Sequence, residues 1–84
     1  MQGDLVIVRA FRGVPLIRRV WEEVEYGVYI TDDTCFERLL AGETTCWPVG
    51  FPREDVFHFD PALAKEMDAL YQTGKWDWTK LVPV

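Results

Sequence analysis

The chain has little of what most enzymes and metal proteins are built on. Its 84 residues hold one histidine, His58, and two cysteines, Cys35 and Cys46. Those cysteines lack the short spacing of a zinc knuckle and are too few for a disulfide framework. There is no Gly-x-Ser-x-Gly, no glycine-rich phosphate loop and no calcium-loop pattern. The acidic neighbours Glu22/Glu23, Asp32/Asp33 and Glu54/Asp55 would point apart on a strand, so none makes a cation site alone. No apolar run approaches the roughly 18 residues of a membrane span. No basic segment followed by an apolar stretch and a small-residue cleavage site opens the chain. These absences predict a non-enzymatic, cytoplasmic protein with no cofactor, metal, membrane or small-molecule substrate. Both cysteines are expected reduced and half-buried, with a bridge open to them only if their segments are neighbours.

What is present is a dense, ring-rich composition. Hydrophobic residues make up 49% of the chain and aromatic residues 14%, which argues against a disordered chain. A chain this short forms one domain, 1–84, and buries only about 60–65% of its unfolded surface, so its core has to be tightly filled. The net charge of −5 argues against generic nucleic-acid binding, which needs a basic footprint. The charge is uneven, however. Residues 1–21 carry +3, from Arg9, Arg12, Arg18 and Arg19 against Asp4, and residues 22–84 carry −8.

The patterning is mainly β. Residues 3–11 alternate, with Val6, Val8 and Ala10 as the better core face and Leu5, Ile7, Arg9 and Phe11 opposite. Arg12-Gly13-Val14-Pro15 breaks that strand. Residues 16–31 keep a period of two, with Leu16, Val20, Val24, Tyr26, Val28 and Ile30 on the apolar parity and Arg18 and Glu22 interrupting it. That run is long for one strand, so a turn is predicted over 22–25, between strands 15–22 and 26–31. The period then changes. Phe36, Leu39 and Leu40 share a helical stripe, Thr34 and Glu37 have capping-box spacing with Asp33 or Thr34 as the cap, and Gly42 stops a helix near 33–41. Residues 44–51 read as a short strand or extended segment that Pro48 puts at an edge or bulge, 52–55 as a 3₁₀ turn and 56–59 as the closing strand. Asp60-Pro61 opens a helix over 61–73 with the stripe Leu63, Met67, Leu70 and Tyr71, ended by Gly74. The tail reads as a further strand or as an arm pinned by Trp76 and Trp78.

The opening Gly3-Asp4-Leu5-Val6-Ile7-Val8 and the closing Pro52-Arg53-Glu54-Asp55-Val56-Phe57 carry a resemblance. With the strands and insertion between them, they resemble SH3-like small barrels, which include the Tudor and KOW types. The resemblance covers about residues 3–59. It implies a five-stranded SH3-like barrel at 3–59; the short helix near 33–41 and the helical, Trp-rich extension at 60–84 depart from the minimal domain, so the expected fold is mainly β with added helices (α+β). Closure would also dispose of exposed strand edges. The other architecture the pattern allows is an open α+β sheet with both helices on one face.

Two residue sets are candidates for recognition. Trp21, Tyr29, Trp47, Trp76 and Trp78, with Phe51 beside the fourth strand, could form an aromatic surface for a protein partner or for self-association. Such barrels use rings to grip proline-rich or methylated segments. Packing of the same rings under the two helices would leave no such surface. Arg9, Arg12, Arg18 and Arg19 would cluster if the first two strands pair, and could contact nucleic-acid phosphate or an acidic partner. Otherwise they are neutralised within the chain by the acids of 22–25 and of the C-terminal helix. His58 alternates with Phe57 and Phe59 and so points away from them, into solvent. The expectation is a protein-interaction or assembly module, with a nucleic-acid-associated protein as the alternative.

Overall fold

The computed structural model describes residues 2–84, the side chain of Tyr71 excepted. Five strands, β1 (Leu5–Arg9), β2 (Pro15–Val24), β3 (Gly27–Thr31), β4 (Val49–Pro52) and β5 (Val56–His58), form one antiparallel sheet in the order β4-β3-β2-β1-β5. Helices α1 (Asp33–Leu40) and α2 (Pro61–Thr73) make the fold mixed α+β. The edge strands β4 and β5 are separated in sequence only by the 3₁₀ turn Arg53–Asp55. Flat strands spaced about 4.8 Å apart would put these edges roughly 19 Å from each other. Three 3₁₀ residues rising about 2 Å each cannot span that distance, so the sheet curls. It is not closed: among the described residues β4 pairs with β3 and not with β5.

Both faces of the sheet are used. One carries Val6, Val8, Val20, Val28, Ile30 and Val56, with Leu16, Phe51 and Val84 packed against them. All of these come from strands or the last residue of the tail, so this is the concave side, packing on itself. Small β-branched residues suit that inner surface. The convex face carries Ile7 and Phe57 under Met67 and Leu63 of α2 and under Trp76, Trp78 and Leu81 of the tail. Ile7 is as completely buried as Val8. The alternation in β1 therefore separates two cores, rather than a core from solvent.

The second helix follows the signals read for it. Asp60 accepts from the Ala62 N–H at 3.0 Å, Pro61 is the first helical residue, and Gly74 closes the helix at φ 69°. Met67 and Leu63 dock it; Tyr71, placed on the same stripe by periodicity, has its side chain outside the described residues. The tail is the pinned arm and not a further strand, although it makes an isolated bridge to β5. Trp76 and Trp78 pin it, and 82–84 then lies along β5: His58 N–H donates to Val82 O and Val84 N–H to Val56 O, each at 2.9 Å, around a Phe57–Pro83 bridge.

Three local expectations are corrected. The turn predicted at 22–25 is instead the two-residue Glu25-Tyr26, with Val24 opposite Gly27. Glu22 and Glu23 stay in β2, where both are exposed although consecutive strand residues face opposite sides, and a register shift between Val20 and Glu22 accommodates the extra residue. The cap of α1 is Asp32, not Asp33 or Thr34; its carboxylate accepts from the Cys35 N–H at 2.7 Å. The helix ends as read: Gly42, at φ 82°, and Glu43 donate back to Leu39 O and Arg38 O. Finally, the strand expected over 44–51 forms only at Val49–Pro52. The segment before it, containing Pro48, is the irregular connection from α1.

Candidate interaction groove

The edge at β4 is shaped by two glycines on the β3–β4 ladder. A Cβ on Gly27 would lie 2.5 Å from Phe51 O, so only glycine lets the strands meet there. A Cβ on Gly50 would come within 3.2 Å of the Tyr29 ring, which covers that position. Tyr29 also shares a hydrogen bond with Tyr26, which, with lesser contributions from Coulomb repulsion, burial and Glu22, raises the Tyr29 pKa above its ordinary value. At the hairpin end of the edge, Val24, Tyr26, Tyr29, Phe51 and Pro52 surround a cavity of about 360 Å³. Beside it, Leu16, Arg18, Cys35, Trp47, Val49 and Phe51 line a second, mainly apolar cavity of about 300 Å³. Phe51 belongs to both. Around this edge three large side chains stand in solvent: Trp47 at 79% exposure, Tyr26 at 77% and Val49 at 57%.

The five aromatic candidates are divided among three places. Tyr29 and Trp47 lie at the two cavities of this groove. Trp21 does not; it meets Phe36 of α1 edge to face, 5.9 Å between centroids, and fastens that helix to β2. Trp76 and Trp78 pack on the convex face, with Trp78 5.0 Å from the Phe57 ring and Trp76 5.7 Å from Trp78. The Trp78 indole N–H donates to Gly13 O at 3.3 Å, whereas the buried Trp76 N–H has no partner.

The four arginines are not brought onto one surface. Arg9 binds Asp55 at 2.9 Å and Glu54 O at 2.9 Å, with its guanidinium 5.3 Å from the centroids of both Phe57 and Trp78. Arg19 binds Asp33 at 2.7 Å and Gly3 O at 2.8 Å. These two neighbours differ from the acids expected: they come from the 3₁₀ turn and α1, not from 22–25 or α2. Arg12, at φ 64° in the β1–β2 loop, is exposed and stacks on exposed Phe11. Arg18 points to the opposite side of β2 from Arg19. It donates to Ile17 O at 2.8 Å and is the cation of the 300 Å³ cavity. Asp32 also lines this cavity, with its carboxylate engaged in capping α1.

Cys35 and Cys46 are both free and half-buried. Their segments are neighbours. A hydrogen bond donated by the Cys35 thiol to Cys46, reinforced by partial desolvation, pushes the Cys35 pKa up to about 11. Exposed His58 lines a separate, more polar cavity of about 500 Å³ together with Asp4, Arg19 and Glu23. Among the described residues no three His, Cys, Asp or Glu side chains group as metal ligands, and no helix is long and apolar enough to cross a membrane.

Tyr26 was not legible as a site residue, since it sat on an apolar parity that reads as core, and Val49 carried no site signal of its own. The signal available was the brevity of the strand after Pro48, which marks an edge. Comparison with protein-family models, with curated proteins and with solved structures returns no match, so the chemistry of this groove rests on its own geometry.

Proposed function

We propose that this chain is a non-enzymatic interaction module built on an SH3-like small barrel, and that its β4 groove takes an extended segment of a protein partner. One observation carries the reading: a sheet edge paired on one side only lies between two apolar cavities that share Phe51, with Trp47, Val49 and Tyr26 in solvent around it. An extended segment can satisfy the free backbone groups of such an edge while its alternate side chains enter the flanking cavities. Trp and Tyr give large contact area at small entropic cost. The SH3-like assignment is supported by the strand order and by the 3₁₀ turn joining the two edges. The curl of the sheet suits a barrel with one ladder left open. Two unpaired thiols suit a reducing compartment such as the cytoplasm. The nucleic-acid alternative has less support, because Arg9 and Arg19 are already ion-paired and Arg18 faces the other way.

Selection of random linear peptides from a display library against the full chain tests this. Peptides should be enriched whose affinity falls about tenfold or more on Trp47→Ala and on Tyr26→Ala, with melting temperature unchanged, as expected of anchor residues. No enrichment above background, or peptides that bind Trp47→Ala as well as the parent, would overturn it.

A further inference from the structure

We propose that Cys35 and Cys46 are a reversible disulfide site, which when oxidised ties the first turn of α1 to the segment bearing Trp47. The two ends of this tie are held very differently. Cys35 is fixed by its own backbone, whose N–H is bound by the Asp32 cap at 2.7 Å. Cys46 lies in the irregular connection between α1 and β4. The turn at Gly42 and Glu43 reverses the chain at the end of α1, and the next residue after Cys46, Trp47, lines the same cavity as Cys35. The two cysteine-bearing segments thus meet across a short loop, since Cys46 precedes a residue that shares a cavity with Cys35, and neither cysteine is fully buried, so a small oxidant can reach them.

The co-reactant is a low-molecular-weight disulfide of the glutathione class. The raised Cys35 pKa disfavours its thiolate, and Cys46 lies in the irregular connection next to exposed Trp47, so the first attack is assigned to Cys46. Its thiolate sulfur bonds to one glutathione sulfur, the glutathione S–S bond breaks, and one glutathione leaves as thiolate. Cys35 gives its proton to that thiolate and attacks the Cys46 sulfur of the mixed disulfide, expelling the second glutathione. Two protein thiols and one glutathione disulfide become one protein disulfide and two glutathione thiols. A link of this kind removes freedom from the connection that carries Trp47 and so stiffens one wall of the groove. The covalent step stands without the proposed function; its effect on partner binding rests on that reading.

The test is incubation of the full chain with oxidised glutathione, followed by thiol alkylation, non-reducing intact mass and melting. The expected product is a monomer without alkylatable thiols or glutathione adducts, reversed by dithiothreitol. Its melting temperature should be higher by on the order of 10 °C. Acrylamide should quench its tryptophan fluorescence less, a change that Trp47→Phe abolishes. Cys35→Ser and Cys46→Ser should each stop at a glutathione adduct on the remaining cysteine. Stable adducts on both cysteines of the parent chain, disulfide-linked dimers, or thiols left unreacted would overturn the proposal. A bridged monomer with the expected quenching but no peptide binding in either state would retain the disulfide and discard the interaction reading.

Discussion

The two edges of this sheet have opposite treatment. At β5 the chain covers its own edge: α2 crosses the convex face, Trp76 and Trp78 bring the tail back, and 82–84 takes the hydrogen bonds of His58 and Val56. At β4 nothing in the described chain does the same, and the apolar residues nearest the edge are exposed. A small domain has strong reason to blunt an edge, since a free strand templates unwanted pairing. Here almost a third of the sequence, from Asp60 onward, goes to sealing one edge and face. The other is kept short, bracketed by Pro48 and Pro52 and bordered by rings, as the proposed binding of a partner segment requires.

If that contrast is right, the largest effect should come from removing the seal. Deleting residues 74–84 exposes Phe57 and Ile7 and strips Leu81, Trp76 and Trp78 from their core. Several buried side chains at about 1.5–3 kcal/mol each approach the whole stability of a small domain. Circular dichroism should show no cooperative melt at 37 °C, and a deletion variant that melts like the parent would show the seal to be dispensable. Next in size, Gly27→Ala forces a Cβ against the Phe51 carbonyl and pushes β4 off β3. It should cost about 1–3 kcal/mol in urea unfolding. It should also abolish peptide capture, so it shows whether β4 must be held in register to act.

The smallest effect concerns the tail alone. Asp77 accepts from the Thr79 hydroxyl at 2.6 Å and from the Thr79 N–H at 3.0 Å, and these hydrogen bonds hold its carboxyl below the usual carboxylate range. A depressed folded-state pKa means that the stabilisation is present above the unfolded value, near 3.9, and fades as pH falls through the folded value. Asp77→Ala should therefore weaken the protein slightly at neutral pH and not at all in strong acid. Urea midpoints measured at about pH 7 and about pH 2 check this; an equal difference at both would assign the loss to something other than the charge.

The parts of this molecule that could be read in advance are those governed by neighbours in sequence. Asp60, Pro61 and Gly74 bound α2 because caps and stops act within one turn. Gly42 ends α1 for the same reason. The alternation of Val6, Ile7 and Val8 announced a strand but could not say that Ile7 would be covered as well, because its cover comes from Met67 and Leu81. Acids at 22 and 23 are equally at home in a turn and at the exposed end of a strand, and only pairing with β3 decides between them. Of the candidate site, Tyr29, Trp47, Phe51 and Arg18 were in view as individual residues. Their gathering at one edge, and the meeting of Cys35 with Cys46, depend on how a curled sheet returns the chain to itself.

The position of β1 has a consequence for how the protein comes into being. A ribosome delivers β1 first, and its hairpin with β2 can form as soon as both have emerged. Its other neighbour, β5, is made only after β2, β3, α1 and β4. Throughout that interval one side of the β1 backbone and the whole outer flank of Ile7 have no native partner. Pairings so distant in sequence also form slowly. The most hazardous state of this small domain is thus its own unfinished nascent form, which stays adhesive until β5, α2 and the tail have emerged and folded back.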